Sequence, residues 1–139
     1  MTAPALLQPP ALTDAQAEWA RCRDWIAAAL DRDGFYGIDD IERGIAEGEM
    51  TFWPGRDCAV VSEFITYPKM RVLNVLAGGG VRGRALRELT QEMEPALVQW
   101  ARAGGASKII GFGSYEGWQP VCARMGYRHL WTVMQKDIT

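Results

Sequence analysis

The sequence predicts an α+β fold, and three features of its layout carry that prediction. Two helical patterns lead the chain, and a β-rich stretch broken by tight turns follows them. A long helix then opens the second half, before a strand, a short helix and a last strand. At 139 residues the chain has the size of one ordinary domain. A composition of 48% hydrophobic and 23% charged residues suits a globular core and excludes a disordered tail, a collagen-like repeat and a membrane span.

The first dozen residues, with Pro4, Pro9 and Pro10, read as an arm ahead of a single domain over 13–139. They lack the basic start of a secretory signal. Thr13 or Asp14 can cap a helix running to about Leu30, where Trp19, Cys22, Ile26 and Ala29 form one apolar stripe. DRDGFYG (31–37) is loop chemistry. A second helix fits Asp39–Glu47, with Ile41 and Ile45 one turn apart and Gly48 just beyond its end.

Strands follow at Met50–Trp53, Cys58–Thr66 and Met70–Ala77, an antiparallel meander. Pro54-Gly55 suits the centre of a type II turn in the first connection. Gly78-Gly79-Gly80 reads as a loop before a long helix from about Gly83 to Ala103. There Leu86, Leu89, Met93, Leu97 and Trp100 keep helical spacing. Pro95 lacks an amide donor and predicts a kink or a restart inside that helix. Lys108–Gly113 is a strand too apolar for an edge. Trp118–Met125 is a short helix with Gly126 as its left-handed cap, and Tyr127–Lys136 is the last strand.

Charge and cysteine usage narrow the classes. Fifteen basic against 17 acidic residues do not make a nucleic-acid coat protein, which needs a basic face. Cys22, Cys58 and Cys122 are scattered and odd in number, the pattern of free thiols in a reducing compartment. With His129 as the one histidine, no zinc-ligand cluster forms. The expectation is a cytoplasmic protein that uses neither metal, membrane nor nucleic acid.

This order of elements resembles the GNAT acyltransferase fold over about residues 13–137, without a clear first strand. The resemblance implies a central mixed, mostly antiparallel sheet with helices on both faces. GNAT enzymes carry a loop of the form Q/R-x-x-G-x-G/A that holds the pyrophosphate of acetyl-CoA at a helix N-terminus. The matching stretch here is Gly80-Val81-Arg82-Gly83-Arg84-Ala85, which departs from the pattern at its first position. Glycines let the main chain approach an anion, a helix start supplies amides, and Arg82, Arg84 and Arg87 add positive charge. The resemblance further implies that backbone groups near Val75, Leu76 and Ala77 hold the pantetheine arm, between two splayed strands.

The same resemblance marks candidates for chemistry. The family often has a tyrosine four residues before a Gly-Phe pair, where it protonates the departing thiolate. That pair is Gly126-Tyr127 here, and the tyrosine position falls on Cys122, which also fits simple packing on an apolar helix face. Tyr115 and Tyr127 are alternatives for the role. An attacking ammonium must first lose a proton, and Glu63, a carboxylate inside the apolar strand CAVVSEFIT, is the candidate base; an outward-facing glutamate on an alternating strand is the other reading. Ser114 and Glu116 are weaker alternatives. His129 reads as a packed or surface histidine, whereas Trp53 and Trp118 flank loops, as partner-anchoring tryptophans do.

Two functions follow from these residues. One is acetyl transfer from acetyl-CoA to an unidentified amine. The other is a GNAT-shaped protein without catalysis, acting as a binding or virion-associated component. FYGIDDIERGIAEGEMTFWPG and GWQPVCARMGYRHLWTVMQK are similar to short phage- or prophage-encoded GNAT-like proteins. A homodimer is a further expectation.

Overall fold

The computed structural model describes residues 12–111 and 118–139. Helices α1 (Leu12–Asp33) and α2 (Ile38–Ala46) precede strands β1 (Thr51–Pro54), β2 (Cys58–Thr66) and β3 (Arg71–Gly80). Helix α3 (Ala85–Glu88) runs through a π-helical turn, Leu89–Met93, into α4 (Glu94–Ala103). Strand β4 (Lys108–Gly111) and helix α5 (Trp118–Arg124) complete the elements.

The sheet has the order β1-β2-β3-β4. β1/β2 and β2/β3 are antiparallel, while β3/β4 is parallel. Helices cover both faces, as the α+β prediction requires. Alternation along β2 decides which residue serves which face. Ala59 and Val61 meet Cys22, Ile26 and Leu30 of α1 and Ile41 of α2. Cys58 and Val60 meet Leu89, Met93, Leu97 and Ala101 on the other side. Each fully buried aliphatic side chain among these stabilises the fold by about 1.5–3 kcal/mol.

Several expectations change. The three glycines at 78–80 are the end of β3, not a loop: they pair with Val60, Ala59 and Cys58. Their small size is what the place demands, since a Cβ at Gly79 would press on the Trp25 backbone of α1. Pro54 ends β1, and Gly55 has no positive φ, so the connection is not a type II turn. Pro95 falls in the first turn of α4, after the π-helical turn, so the helix restarts where its missing donor costs nothing.

Trp53 is buried, with its indole N–H donating to Ser62 Oγ (2.9 Å) and its ring edge-on to Trp100 at 5.6 Å. Trp118 packs half-buried against the α4-side core. Neither is an exposed anchor. Gly126 does cap α5, at φ +94°, with the Tyr127 amide donating to the Cys122 carbonyl (3.0 Å). The expected last strand is absent: residues 127–139 carry no regular structure.

Candidate functional site

The glycine loop is a tight turn between β3 and α3. A Cβ on Gly80 would drive into the Asp57 carbonyl and Cys58 Cα, so glycine is required there for contact with β2. The Val81 amide donates to the Asp57 carbonyl (2.8 Å), and the amides of Arg84 and Ala85 donate to Val81 (3.0 and 2.9 Å). Gly83 holds φ +85° and has open space where a Cβ would project. Among the described residues, the amides of Arg82 and Gly83 have no backbone acceptor. Arg82 and Arg84 are exposed; Arg84 Nε lies 3.9 Å from Asp57 Oδ1. The turn thus uses three of its own donors and leaves two.

β3 and β4 pair from Val72/Lys108 to Val75/Gly111. β3 then runs five residues further, to Gly80. Among the described residues, nothing pairs with its outer edge over that length. Past Val75 the β2/β3 register slips: Val61 faces Ala77 and Ser62 faces Val75, leaving Leu76 as the extra residue of a bulge. A bulge bends its strand and re-aims the local amides. Val75, Leu76 and Ala77 therefore sit at this bulge, ahead of the loop at 80–85.

Glu63 is half-buried on β2, opposite Asn74 of β3. The Asn74 Nδ2 donates to Glu63 Oε1 (3.1 Å), while the buried Asn74 Oδ1 has no partner among the described residues. Glu63 also borders an open depression of about 500 Å³, with Ser62, Arg71 and Trp100 on its wall. Cys122 is half-buried on α5, and burial pushes its thiol pKa up, so it holds its proton at neutral pH. Tyr127 is likewise raised by burial and then by the Glu94 charge; its hydroxyl donates to Glu94 Oε1 at 3.5 Å. Tyr115, Ser114 and Glu116 lie outside the described residues. His129 is exposed, with Thr132 Oγ1 3.4 Å from its Nε2.

Glu88, which the sequence reading passes over, is the most strongly engaged carboxylate. It is 7% exposed. One oxygen accepts the amides of Asp57 and Cys58 (3.0 and 2.9 Å), and the other that of Arg56 (2.9 Å). Burial acts to raise its pKa, but the Cys58 thiol and these amides outweigh it and hold it at about 2. Arg21 of α1 donates to the carbonyls of Gly55 and Arg56 from the other side. An open groove of about 670 Å³ lies here, lined by Glu18, Arg21, Arg56, Glu88 and Glu92. Its charges pair with one another, which makes it a stapled turn rather than a vacant ligand site. The only sequence signal was an acid one turn after the basic loop.

Neither depression is lined by residues 80–85. Among the described residues, the candidate cradle is an open strand edge and a turn.

The sequence matches no family model and no curated protein. The fold does have solved counterparts. An acetyltransferase from Trypanosoma brucei aligns with TM-score 0.56 at 14% identity, over 73% of this chain and 78% of that one. A tetramutant of the BH1408 protein from Bacillus halodurans aligns with TM-score 0.64 at 12% identity, over 92% and 97%. A probable acetyltransferase aligns with TM-score 0.59 at 13% identity, over 81% and 88%. The chain therefore has a GNAT-like, acetyltransferase-type fold.

Proposed function

We propose that the chain is an acyl-CoA-dependent N-acyltransferase that moves an acetyl group from acetyl-CoA to an amine. The observation that carries this reading is the bulge at Leu76 of β3, ahead of a glycine turn that opens a helix. The fold shared with an acetyltransferase and a probable acetyltransferase adds to it.

The residues present fit such a ligand. The outer edge of β3 from Leu76 to Gly80 offers main-chain donors and acceptors in an extended row, suited to the amides of a pantetheine arm. The amides of Arg82 and Gly83 and the guanidinium groups of Arg82, Arg84 and Arg87 would meet the pyrophosphate. Bound acetyl-CoA supplies an activated thioester; the protein supplies position. Glu63, held by Asn74, would take the proton from the acceptor ammonium, directly or through water. Cys122 keeps its proton and would return one to the departing thiolate.

A non-catalytic binding protein is the second reading. It is favoured by the turn's use of its own Val81, Arg84 and Ala85 amides. The phage or prophage resemblance rests on the sequence segments alone.

Thiol release from acetyl-CoA, measured across a panel of amines, separates the two. Transfer to at least one amine is expected. Glu63→Gln should lower kcat about 100-fold, the scale of a lost general base. Arg82→Glu with Arg84→Glu should raise KM for acetyl-CoA at unchanged kcat. Absence of release with every amine, in a protein that still binds CoA, would favour the second reading.

A further inference from the structure

The depression beside Glu63 differs from the Arg21–Arg56 groove in how its charges are used. In the groove, acids and arginines pair with one another. The depression presents Glu49, Glu63 and Arg71. Among the described residues, none of these three has an oppositely charged partner within 4 Å. At about 500 Å³ it has the size of a small-molecule site.

The sheet explains why the charges stay apart. β1 begins at Thr51, opposite Ser62, so the outer edge of β2 from Glu63 to Thr66 has no β1 partner. The depression wraps this free edge. Side chains alternate along a strand, so Glu63 leaves on the α1 side with Ala59 and Val61, while Phe64 leaves on the α4 side with Val60. Arg71 goes with Phe64: its guanidinium carbon stands 4.3 Å from the centre of that ring. Acid and base therefore flank one strand edge from opposite faces.

Arg71 is also well held. The Phe64 ring is wedged against Trp100 at 6.3 Å and against Gly104, where a Cβ would strike it. An arginine stacked on such a ring keeps its N–H fork free in the plane, suited to a carboxylate. On the other face, Glu63 is fixed by Asn74, whose side chain is buried and whose Oδ1 has no partner among the described residues. Unpaired buried acceptors are rare enough to call for a role. An ammonium at Glu63 meets a carboxylate with a second acceptor next to it. Ser62 and Glu63 face Val75 and Asn74, so this place is one strand away from the bulge at Leu76.

We propose that the acceptor is an amine that also carries a carboxylate several bonds away, an ω-amino acid or a dipeptide, bound across the free edge of β2. Its ammonium sits at Glu63 and its carboxylate on Arg71. The inference rests on the acyltransfer reading and gives its substrate class. The ammonium passes one proton to Glu63, and the freed lone pair forms the N–C bond as the thioester C–S bond breaks. A second proton leaves the nitrogen as one reaches the departing sulfur. The products are the N-acetylated acid and CoA thiol, with one proton released to solvent.

Matched acceptors test it. Thiol release from acetyl-CoA should favour glycylglycine over glycylglycine amide by about 10–100-fold in kcat/KM, the scale of a lost charge-assisted hydrogen bond. Arg71→Met should remove that preference through KM for the dipeptide, Arg71→Lys should restore part of it, and Arg71→Glu should reverse it. Arg71 is exposed, so these variants are expected to fold. Equal use of acid and amide by the wild type would overturn the proposal while leaving acyl transfer intact. So would a preference for 3-aminopropyl phosphate over the dipeptide. Titration without acetyl-CoA, followed by NMR at the Phe64 amide and the Trp100 indole, reads the site apart from chemistry. Shifts with glycylglycine that vanish in Arg71→Met would support it even in a protein that releases no thiol. No shift at about 10 mM dipeptide would overturn it.

Discussion

The carboxylate of Glu88 receives three consecutive amides of the β1–β2 connection and sets an acid limit on the fold. Its pKa stands at about 2, below the ordinary 4.5. A carboxylate depressed in this way contributes stability above the unfolded value and loses it as pH falls from 4.5 toward 2. That contribution is on the order of 3 kcal/mol. Glu88→Gln should therefore lower unfolding free energy by about 2–3 kcal/mol at pH 7 and by little at pH 2, read from urea titrations at both. An equal loss at the two pH values would mean the charge is irrelevant. Glu88 was illegible in the sequence because its role depends on amides some thirty positions away. Glu63 was visible as an acid inside an apolar strand, but its Asn74 partner needs the β2/β3 register. The buried Trp53 defeated the reading for the same reason: Ser62 and Trp100 are long-range partners.

At the scale of elements, periodicity was enough for most boundaries. The stripe Trp19, Cys22, Ile26, Ala29 does face the sheet, and β2 spans the nine residues its β-branched run suggested. Pro95 was legible as a break, though not as a π-helical turn followed by a fresh helix start. Placed in that first turn, proline removes no needed donor. Pro95→Ala should then shift stability by less than about 1 kcal/mol, against the ~3 kcal/mol of a proline in a helix interior. A change near the larger figure in a thermal or denaturant melt would contradict the restart. Two elements escaped local rules. The glycines at 78–80 look like a loop because their strand is set by pairing with β2 and by the closeness of α1. The tail looks like a strand because its composition is that of one, and only pairing can make it one.

At the scale of the molecule, the fold puts two things in line: the bulge at Leu76 and the turn at Gly80–Ala85. The order of elements made this arrangement legible, since a strand, a glycine-rich turn and a long helix follow one another directly. The details of donor use were not legible, because the acceptor for Val81 lies on Asp57 of another strand connection. The acyl-CoA reading rests on main-chain amides, so it is tested most directly by watching them. Amide hydrogen exchange with and without saturating CoA should show new protection at Leu76–Gly83, strongest at Arg82 and Gly83. Unchanged exchange across that stretch at millimolar CoA, or protection confined to the Arg21–Arg56 groove, would contradict it.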